Sequence, residues 1–357
     1  MTARLQGQVR IVGTGLIGTS IGLGLTRKGV SVTLEDASPA NERLAADYGA
    51  GKVASPNDSP DLIVVCVPPD VTARVVAKQL STFPDAVVTD VASVKSQIID
   101  ELAASAADLS RYVGSHPMAG RERGGAASGR ADIFIGRPWV IAEHAEASQA
   151  AMKLVEELAL DLGSNPLRMT PSEHDRAVAL VSHVPQLVSS LLAARLVGAS
   201  GVELAGQGLR DTVRIAASDP KLWVQILGAN ANEVVSVLKD YQTDLDAVIE
   251  ALSDVSAAGA LSAIDQTIAA GNRGVQQLPG KHGSKRTELE TFTIIIEDRP
   301  GQLAKLFTEI NEIGVNAEDV KLEHNPGAQL GMLELSVVPT SARKLQDELG
   351  ARGWRFA

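Results

Sequence analysis

At 357 residues the chain is too long for one compact core and asks for two or three folded units; 45% apolar and 21% charged residues, with 32 glycines and 16 prolines, are ordinary globular usage and exclude disordered and fibrous classes. A net charge of −10 and only 3% aromatics leave a field that repels phosphate backbones and few rings on which bases could stack, so no nucleic-acid partner is expected. The longest clean apolar run, Leu62 to Val67, falls far short of the ~20 residues of a membrane span, and MTARLQGQVR opens without a signal-like apolar stretch, which predicts a cytoplasmic protein with no membrane partner.

In chain order, Val- and Ile-rich runs at 8–12, 31–35, 62–67, 86–90, 111–115 and 138–142 alternate with helix-length polar and Ala-rich stretches. Alternation of this kind predicts βαβ units around a largely parallel sheet. The single cysteine, Cys66, has no partner for a disulfide or a zinc site and reads as a small core residue; no metal is expected. From about residue 171 the strand-like runs stop. Leu238, Tyr241, Leu245, Val248 and Leu252 then recur in steps of three and four, lining one face of a helix in an all-helical section. The stretch QQLPGKHGSKRTE, 276–288, is polar, basic and punctuated by Gly and Pro, as a connector is. Beyond it, a strand from Thr291 to Ile296, a helix pattern at Leu303, Leu306, Phe307 and Ile310, a strand pair near 318–338 and a last helix and strand spell a small α+β unit.

The first strand, VRIVG, runs into Gly13-Thr14-Gly15-Leu16-Ile17-Gly18 and then into a helix pattern at Ile21, Leu23 and Leu25. Glycines here serve a tight turn, close approach of a pyrophosphate to the backbone, and packing of helix on strand, with Leu16 and Ile17 opening the helix whose N-terminus receives the phosphates. Asp36 follows Gly18 by 18 residues, at the end of the second strand, and completes a dinucleotide-binding pattern. Asp36, with Glu35 beside it, suits ribose hydroxyls and repels a 2′-phosphate, and no Arg or Lys stands between Val30 and Asn41; NAD is expected over NADP. Val67 and Pro68, in the VVCVPP run, either line the cofactor's path or simply end a buried strand.

Four further polar segments are DVASVKSQI (90–98), GSHPMAGRERGG (114–125), VSHVPQ (181–186) and GLRDTVRIAASDPKLW (208–223). Together with GTGLIG they make the chain resemble the prephenate and arogenate dehydrogenase family from residue 8 to about 280. The resemblance implies that His116, in a loop before Pro117, accepts the ring-hydroxyl proton, a task that suits imidazole because its pKa lies near neutrality. Ser93 would orient that histidine beside the nicotinamide; read alone, it would cap a helix begun by Val94-Lys95-Ser96-Gln97. Lys95 is expected to be solvated or a secondary anion contact. Asp211 and Arg214 fall on a GxxDxxR pattern, and Arg214 would grip a substrate carboxylate in two-point fashion. Glu122 joins the substrate-binding set, and Trp223 becomes a pocket wall, from the same chain or across a dimer interface. The chain departs from the family's SHxPH at Gln186, which replaces a histidine. Gln186 could donate to a carboxylate without charge or sit in a pocket for arogenate, while Pro185 should kink the helix. His183 is either another site contact or a core histidine with its partners satisfied.

The last 68 residues, 290–357, resemble an ACT domain, an amino-acid-sensing module of ferredoxin-like fold. Asp298, Arg299, Pro300, Gly301, Gln302 and Leu303 form its strand-to-helix turn, where an amino-acid effector, tyrosine by family analogy, would bind; assembly of chains is the other use of such a unit.

The whole is read as an α/β protein with a Rossmann-like NAD-binding domain at 1–168, an all-helical substrate and dimerisation domain at 169–280, a linker at 281–289 and an ACT domain at 290–357. The implied activity is NAD-dependent oxidative decarboxylation of prephenate to 4-hydroxyphenylpyruvate in tyrosine biosynthesis, by a homodimer. Arogenate dehydrogenase and a non-catalytic sensor of NAD and amino acids are the alternatives.

Overall fold

The computed structural model describes residues 3–105, 107–120, 124–278, 289–324 and 330–357. Packing divides the chain into two compact units, Met1–Asp246 and Ala247–Ala357, so that the division runs inside the section expected to be helical, 169–280. Apart from Leu289, the expected linker lies outside the described residues.

The first unit begins β1 (Gln8–Val12), α1 (Leu16–Arg27), β2 (Ser31–Glu35), α2 (Pro39–Asp47), β3 (Lys52–Val53), β4 (Leu62–Val65), α3 (Pro69–Thr82), β5 (Val87–Asp90) and α4 (Ser96–Ala104). It continues with β6 (Tyr112–Pro117), β7 (Pro138–Ala142), α5 (Gln149–Asp161) and β8 (Asn165–Met169). The eight strands lie in the order β3-β2-β1-β4-β5-β6-β7-β8, parallel except where β6 meets β7.

Successive residues of a strand point to opposite faces, and the two cores follow that alternation. Ile11, Leu62 and Val64 join α1, α2 and α5 on one face; Val12, Ile63 and Val65 join α3 and α4 on the other. Two strands escaped the sequence reading for physical reasons. β3 has two residues and both are exposed. β8, NPLRM, contains a proline and sits at the sheet edge, where a missing N–H costs nothing.

The helical section opens at α6 (Pro171–Val178). Thr170 caps it, taking the Glu173 N–H on its hydroxyl at 3.3 Å while the Glu173 carboxylate takes the Thr170 N–H at 2.8 Å. α7 (Val184–Ala194) continues the same run, and between them Ala179–His183 form a π turn. Pro185 lacks the N–H that the Val181 carbonyl would accept, so the expected disturbance takes the form of a widened turn just ahead of it. The run Pro171–Ala194 is long and apolar enough to cross a membrane by length and composition, though a third of it is buried within the protein and its buried residues include His174, Asp175 and His183. α8 (Gln207–Val213), α9 (Pro220–Ala229) and α10 (Ala231–Ser253) follow.

The helical core is thin: Ala179, Val184 and Val234, with a few half-buried neighbours. Leu191, Val197, Leu204 and Val224 are exposed, and along α10 Tyr241, Leu245 and Leu252 from the predicted apolar face are exposed too.

The second unit contains α11 (Ala260–Gln276), β9 (Glu290–Glu297), α12 (Gln302–Ile313), β10 (Asp319–His324), β11 (Leu330–Val337), α13 (Pro339–Ala351) and β12 (Arg355–Phe356). Its strands lie in the order β10-β11-β9-β12, all antiparallel, with α12 and α13 packed on the sheet through Leu306, Ile310, Leu345 and Leu349. This βαββαβ arrangement is the ferredoxin-like topology.

Candidate active site

The glycine turn separates the three expected uses of its glycines. Gly13 has φ +100°, and a side chain there would meet the Cys66 carbonyl oxygen at 2.4 Å. At Gly18 it would lie 1.9 Å from the Gly13 carbonyl oxygen, which is the close packing of helix on strand. Gly15 faces open space, as backbone offered to a ligand must. Leu16 and Ile17 begin α1 half-buried; its first turn has no side-chain cap and no acidic residue, so its N–H groups are available to an anion.

Asp36 reaches back to this turn, accepting from the Thr14 N–H at 2.6 Å and the Thr14 hydroxyl at 2.8 Å, while its other oxygen takes the Ser38 N–H at 2.8 Å. Glu35 serves elsewhere. It is held by Arg10 at 3.4 Å, Lys78 at 3.8 Å and the Gln79 amide at 3.4 Å, so Asp36 is the carboxylate beside the glycines. Val67 is half-buried, its Cγ1 3.1 Å from where a side chain at Gly13 would stand, and Pro68 caps α3.

At the C-terminal end of β5 the structure corrects the expectation for Lys95. It is buried, and its ammonium pairs with the Asp90 carboxylate, which also accepts the Tyr112 O–H at 2.6 Å and the Ala92 N–H at 2.8 Å. Burial pushes the Lys95 ammonium pKa down, against the pull of Asp90, and pushes the Tyr112 phenol up. Burial likewise raises the Cys66 thiol. Ser93 is half-buried and makes neither expected contact: position 95 occupies the cap of α4, and His116 bonds a different residue. The first turn of α4 is capped from another element by Asp175, which accepts the Lys95 and Ser96 N–H groups at 2.9 and 2.7 Å.

His116 lies on a strand rather than in a loop, opposite Val140 of β7, and Pro117 ends that strand. The residue as a whole is half-buried. Its Nδ1 is 2.9 Å from Nε2 of His174, and His174 Nδ1 is 2.8 Å from Oδ1 of Asp175. Burial and then His174, Lys95 and His183 push the His116 pKa well below its ordinary value, with Asp175 opposing, so the ring is neutral at pH 7. Asn230 ties the next histidine in, bonding the Asp175 carbonyl oxygen at 2.8 Å and His183 Nδ1 at 3.1 Å. His183 is therefore a buried, partnered histidine within the same cluster, its pKa lowered to about 4 by burial and then by His174. Trp223 stands edge-on to it at 6.2 Å.

One turn along α7, Gln186 donates to Ser218 at 2.8 Å and to Ser190 at 3.3 Å, and Ser189 donates to the Thr212 carbonyl at 2.8 Å. These bonds fasten the segment carrying Asp211 and Arg214 to α7. Both residues are exposed; Asp211 accepts from Gln207 at 2.9 Å, and no described residue pairs with the Arg214 guanidinium. Glu122 lies outside the described residues.

In the second unit, Gly301 has φ +90° and precedes α12, whose first turn has no side-chain cap. A cavity of about 90 Å³ opens there, lined by Asp298, Arg299, Gln302 and Leu303 with Leu322 and Gly331; Pro300 and Gly301 stand outside its lining.

The sequence reading thus missed His174, Asp175, Asn230, Asp90 and Tyr112. The only local signal was the capping pattern at Thr170 to Glu173, which marks a helix start but not its chemistry.

Comparison with known proteins gives the same picture. The family descriptions "Prephenate dehydrogenase, nucleotide-binding domain" and "Prephenate dehydrogenase, dimerization domain" match residues 21–166 and 170–264. A relative from Streptomyces niveus, described as a probable prephenate dehydrogenase, NovF, is 36% identical over 353 residues, spanning 96% of this chain and 98% of its own. The cyclohexadienyl dehydrogenase of Zymomonas mobilis is 28% identical over 66% of this chain and 85% of its own. Among solved structures, Aquifex aeolicus prephenate dehydrogenase in complex with hydroxyphenyl propionate and NAD+ superposes with a TM-score of 0.67 at 25% identity, covering 76% of this chain and 99% of that one. Synechocystis arogenate dehydrogenase gives 0.63 at 26% identity, covering 75% and 99%. With a glycine turn, a neutral histidine at a strand end and a helical partner domain in the same order, the chain belongs to the prephenate dehydrogenase family of oxidoreductases.

Proposed function

We propose that the chain carries out the NAD-dependent oxidative decarboxylation of prephenate to 4-hydroxyphenylpyruvate, toward tyrosine, as a cytoplasmic homodimer. The observation that carries this reading is the neutral imidazole of the half-buried His116, poised as a base at a strand end of a nucleotide-binding sheet. Gly13, Gly15, Gly18, the first turn of α1 and Asp36 would hold NAD, and their geometry suits it: an open glycine, an uncapped helix start and one carboxylate beside them. Bound there, NAD supplies the hydride acceptor.

The protein's own residues orient the substrate and take its proton. His116 accepts the proton of the ring hydroxyl as the carbinol carbon is oxidised, a contribution of about 10²–10⁴-fold. Arg214, with no partner among the described residues, grips a substrate carboxylate, and Trp223 beside His183 walls the ring. Loss of carbon dioxide makes the ring aromatic, so most of the driving force is chemical and the site chiefly positions. A second copy covering the exposed apolar residues of the helical section accounts for that thin core.

The C-terminal unit is read as an ACT domain that binds tyrosine at the Asp298–Leu303 turn. Its ferredoxin-like topology and the cavity at that turn support this.

Arogenate is the second reading, and one observation favours it. Gln186 spends its amide N–H groups on Ser218 and Ser190, leaving a carbonyl oxygen that suits the ammonium of arogenate better than a carboxylate. NADH formation followed with prephenate and with arogenate, each with NAD and NADP and with added tyrosine, tests all of this. No turnover of either substrate would sink the enzymatic reading, and turnover indifferent to tyrosine would sink the regulatory one.

A further inference from the structure

We propose that His174 and Asp175 are positioning residues that fix His116 in one tautomer, with Nε2 bare to receive the substrate's proton. This rests on the reading of His116 as the base.

Asp175 sets the direction of every bond in the chain of rings. Its carboxylate accepts the Lys95 and Ser96 N–H groups at the positive end of α4 and meets His174 Nδ1 at 2.8 Å. Burial acts to raise its pKa, but hydrogen bonds from His174 and Ser96 outweigh that and hold it low, so the group is ionised and only accepts. His174 Nδ1 must then carry a hydrogen. The other nitrogen of a singly protonated His174, Nε2, is left as an acceptor, and it lies 2.9 Å from His116 Nδ1. His116 must therefore donate from Nδ1. A neutral His116 protonated there has a free lone pair at Nε2.

Nothing about capping α4 requires a histidine at position 174; any residue ahead of Asp175 would serve. Yet the His174 ring is fully buried with both nitrogens engaged. The relay also joins elements from the two expected domains, since His116 stands on β6 of the sheet and His174 on α6 of the helical section. The base is thus set only when α6 docks on α4. The charged and titratable groups around the His116 ring are His174, Lys95, His183 and Asp175.

Three variants and one spectrum test the relay in the full-length chain. Asp175→Ala removes the acceptor that holds a hydrogen on His174 Nδ1, so neither ring is fixed in one tautomer; kcat should fall toward about 10²-fold, the lower end for loss of a general base, with KM within about threefold. His174→Gln places an amide oxygen near the position of the lost Nε2 and should keep kcat within about tenfold, whereas His174→Asn is too short and should lose about 10²-fold. Ring ¹⁵N resonances of His116 should report Nδ1–H in the wild type and a mixture of the two tautomers in Asp175→Ala. Equal kcat for the Gln and Asn variants at 174, or Nε2–H in the wild-type protein, would overturn the relay. Failure of the wild type to oxidise prephenate or arogenate would instead overturn the reaction assignment, and the ¹⁵N spectrum would still decide the tautomer.

Discussion

Lys95→Met removes the charge from a side chain of nearly the same length and leaves the Asp90 carboxylate buried. Lys95 is 1% exposed and Asp90 0%, so the Coulomb attraction is unscreened by solvent and the orphaned carboxylate cannot reach water. Breaking a buried pair by removing one partner costs about 3–5 kcal/mol. Asp90 keeps the Tyr112 O–H and the Ala92 N–H, so the cost should fall near about 3 kcal/mol, the lower end of that range. At about 2–4 °C per kcal/mol for a domain of this size, Tm should drop by about 6–12 °C in a thermal melt followed by circular dichroism. The double variant Lys95→Met/Asp90→Asn should recover part of the loss, because no uncompensated charge remains. A second readout is kinetic: Lys95 is one of the cations that hold the His116 pKa down, so its removal should move the acid limb of the kcat profile to higher pH. A Tm within about 2 °C of wild type would refute the buried pair and return Lys95 to the surface.

Gly18→Ala puts a methyl carbon 1.9 Å from the Gly13 carbonyl oxygen and should destabilise the fold, whereas Gly15→Ala meets open space and should keep Tm while losing affinity for NAD; melts and NAD titration separate the two, and equal Tm losses would contradict the division of roles. His116→Asn should cut kcat strongly with little change in KM, while Arg214→Gln should chiefly raise KM; steady-state kinetics in which both keep wild-type values would dismiss both assignments. His183 is held neutral when folded, with a pKa of about 4 against about 6.5 unfolded. The unfolded chain therefore binds more protons between those values, so this contribution is complete above pH 6.5 and is lost as the pH falls toward 4. Tm measured from pH 7 to pH 4 should decline, and less so in His183→Asn; identical slopes would show that His183 does not titrate as argued.

Local pattern was enough to read the order of elements apart from β3 and β8, the glycine turn with Asp36, the helix start near residue 171 and the βαββαβ tail, because each depends on residues a few positions apart whose period or turn chemistry is written in the chain. It also carried the resemblance that placed His116 and Arg214 in one family. The environment of the base lay beyond it. His116 meets His174 across 58 residues and Asp175 caps Lys95 across 80, and no periodicity encodes pairings that exist only once α6 packs on α4. Nine residues are about two and a half α-helical turns, which in an unbroken α-helix would set His174 and His183 on opposite faces. The π turn over Ala179–His183 takes up the extra residue, and both histidines join one cluster, His174 on Asp175 and His183 tied to Asp175 through Asn230. Lys95 reads as a surface charge for the same reason: its carboxylate partner is five residues away in sequence, but what excludes water from the pair is the packing of strand, helix and helical section around it. Composition and period determined the scaffold; burial and long-range hydrogen bonding, which come only with the tertiary structure, decided the protonation states on which the chemistry depends.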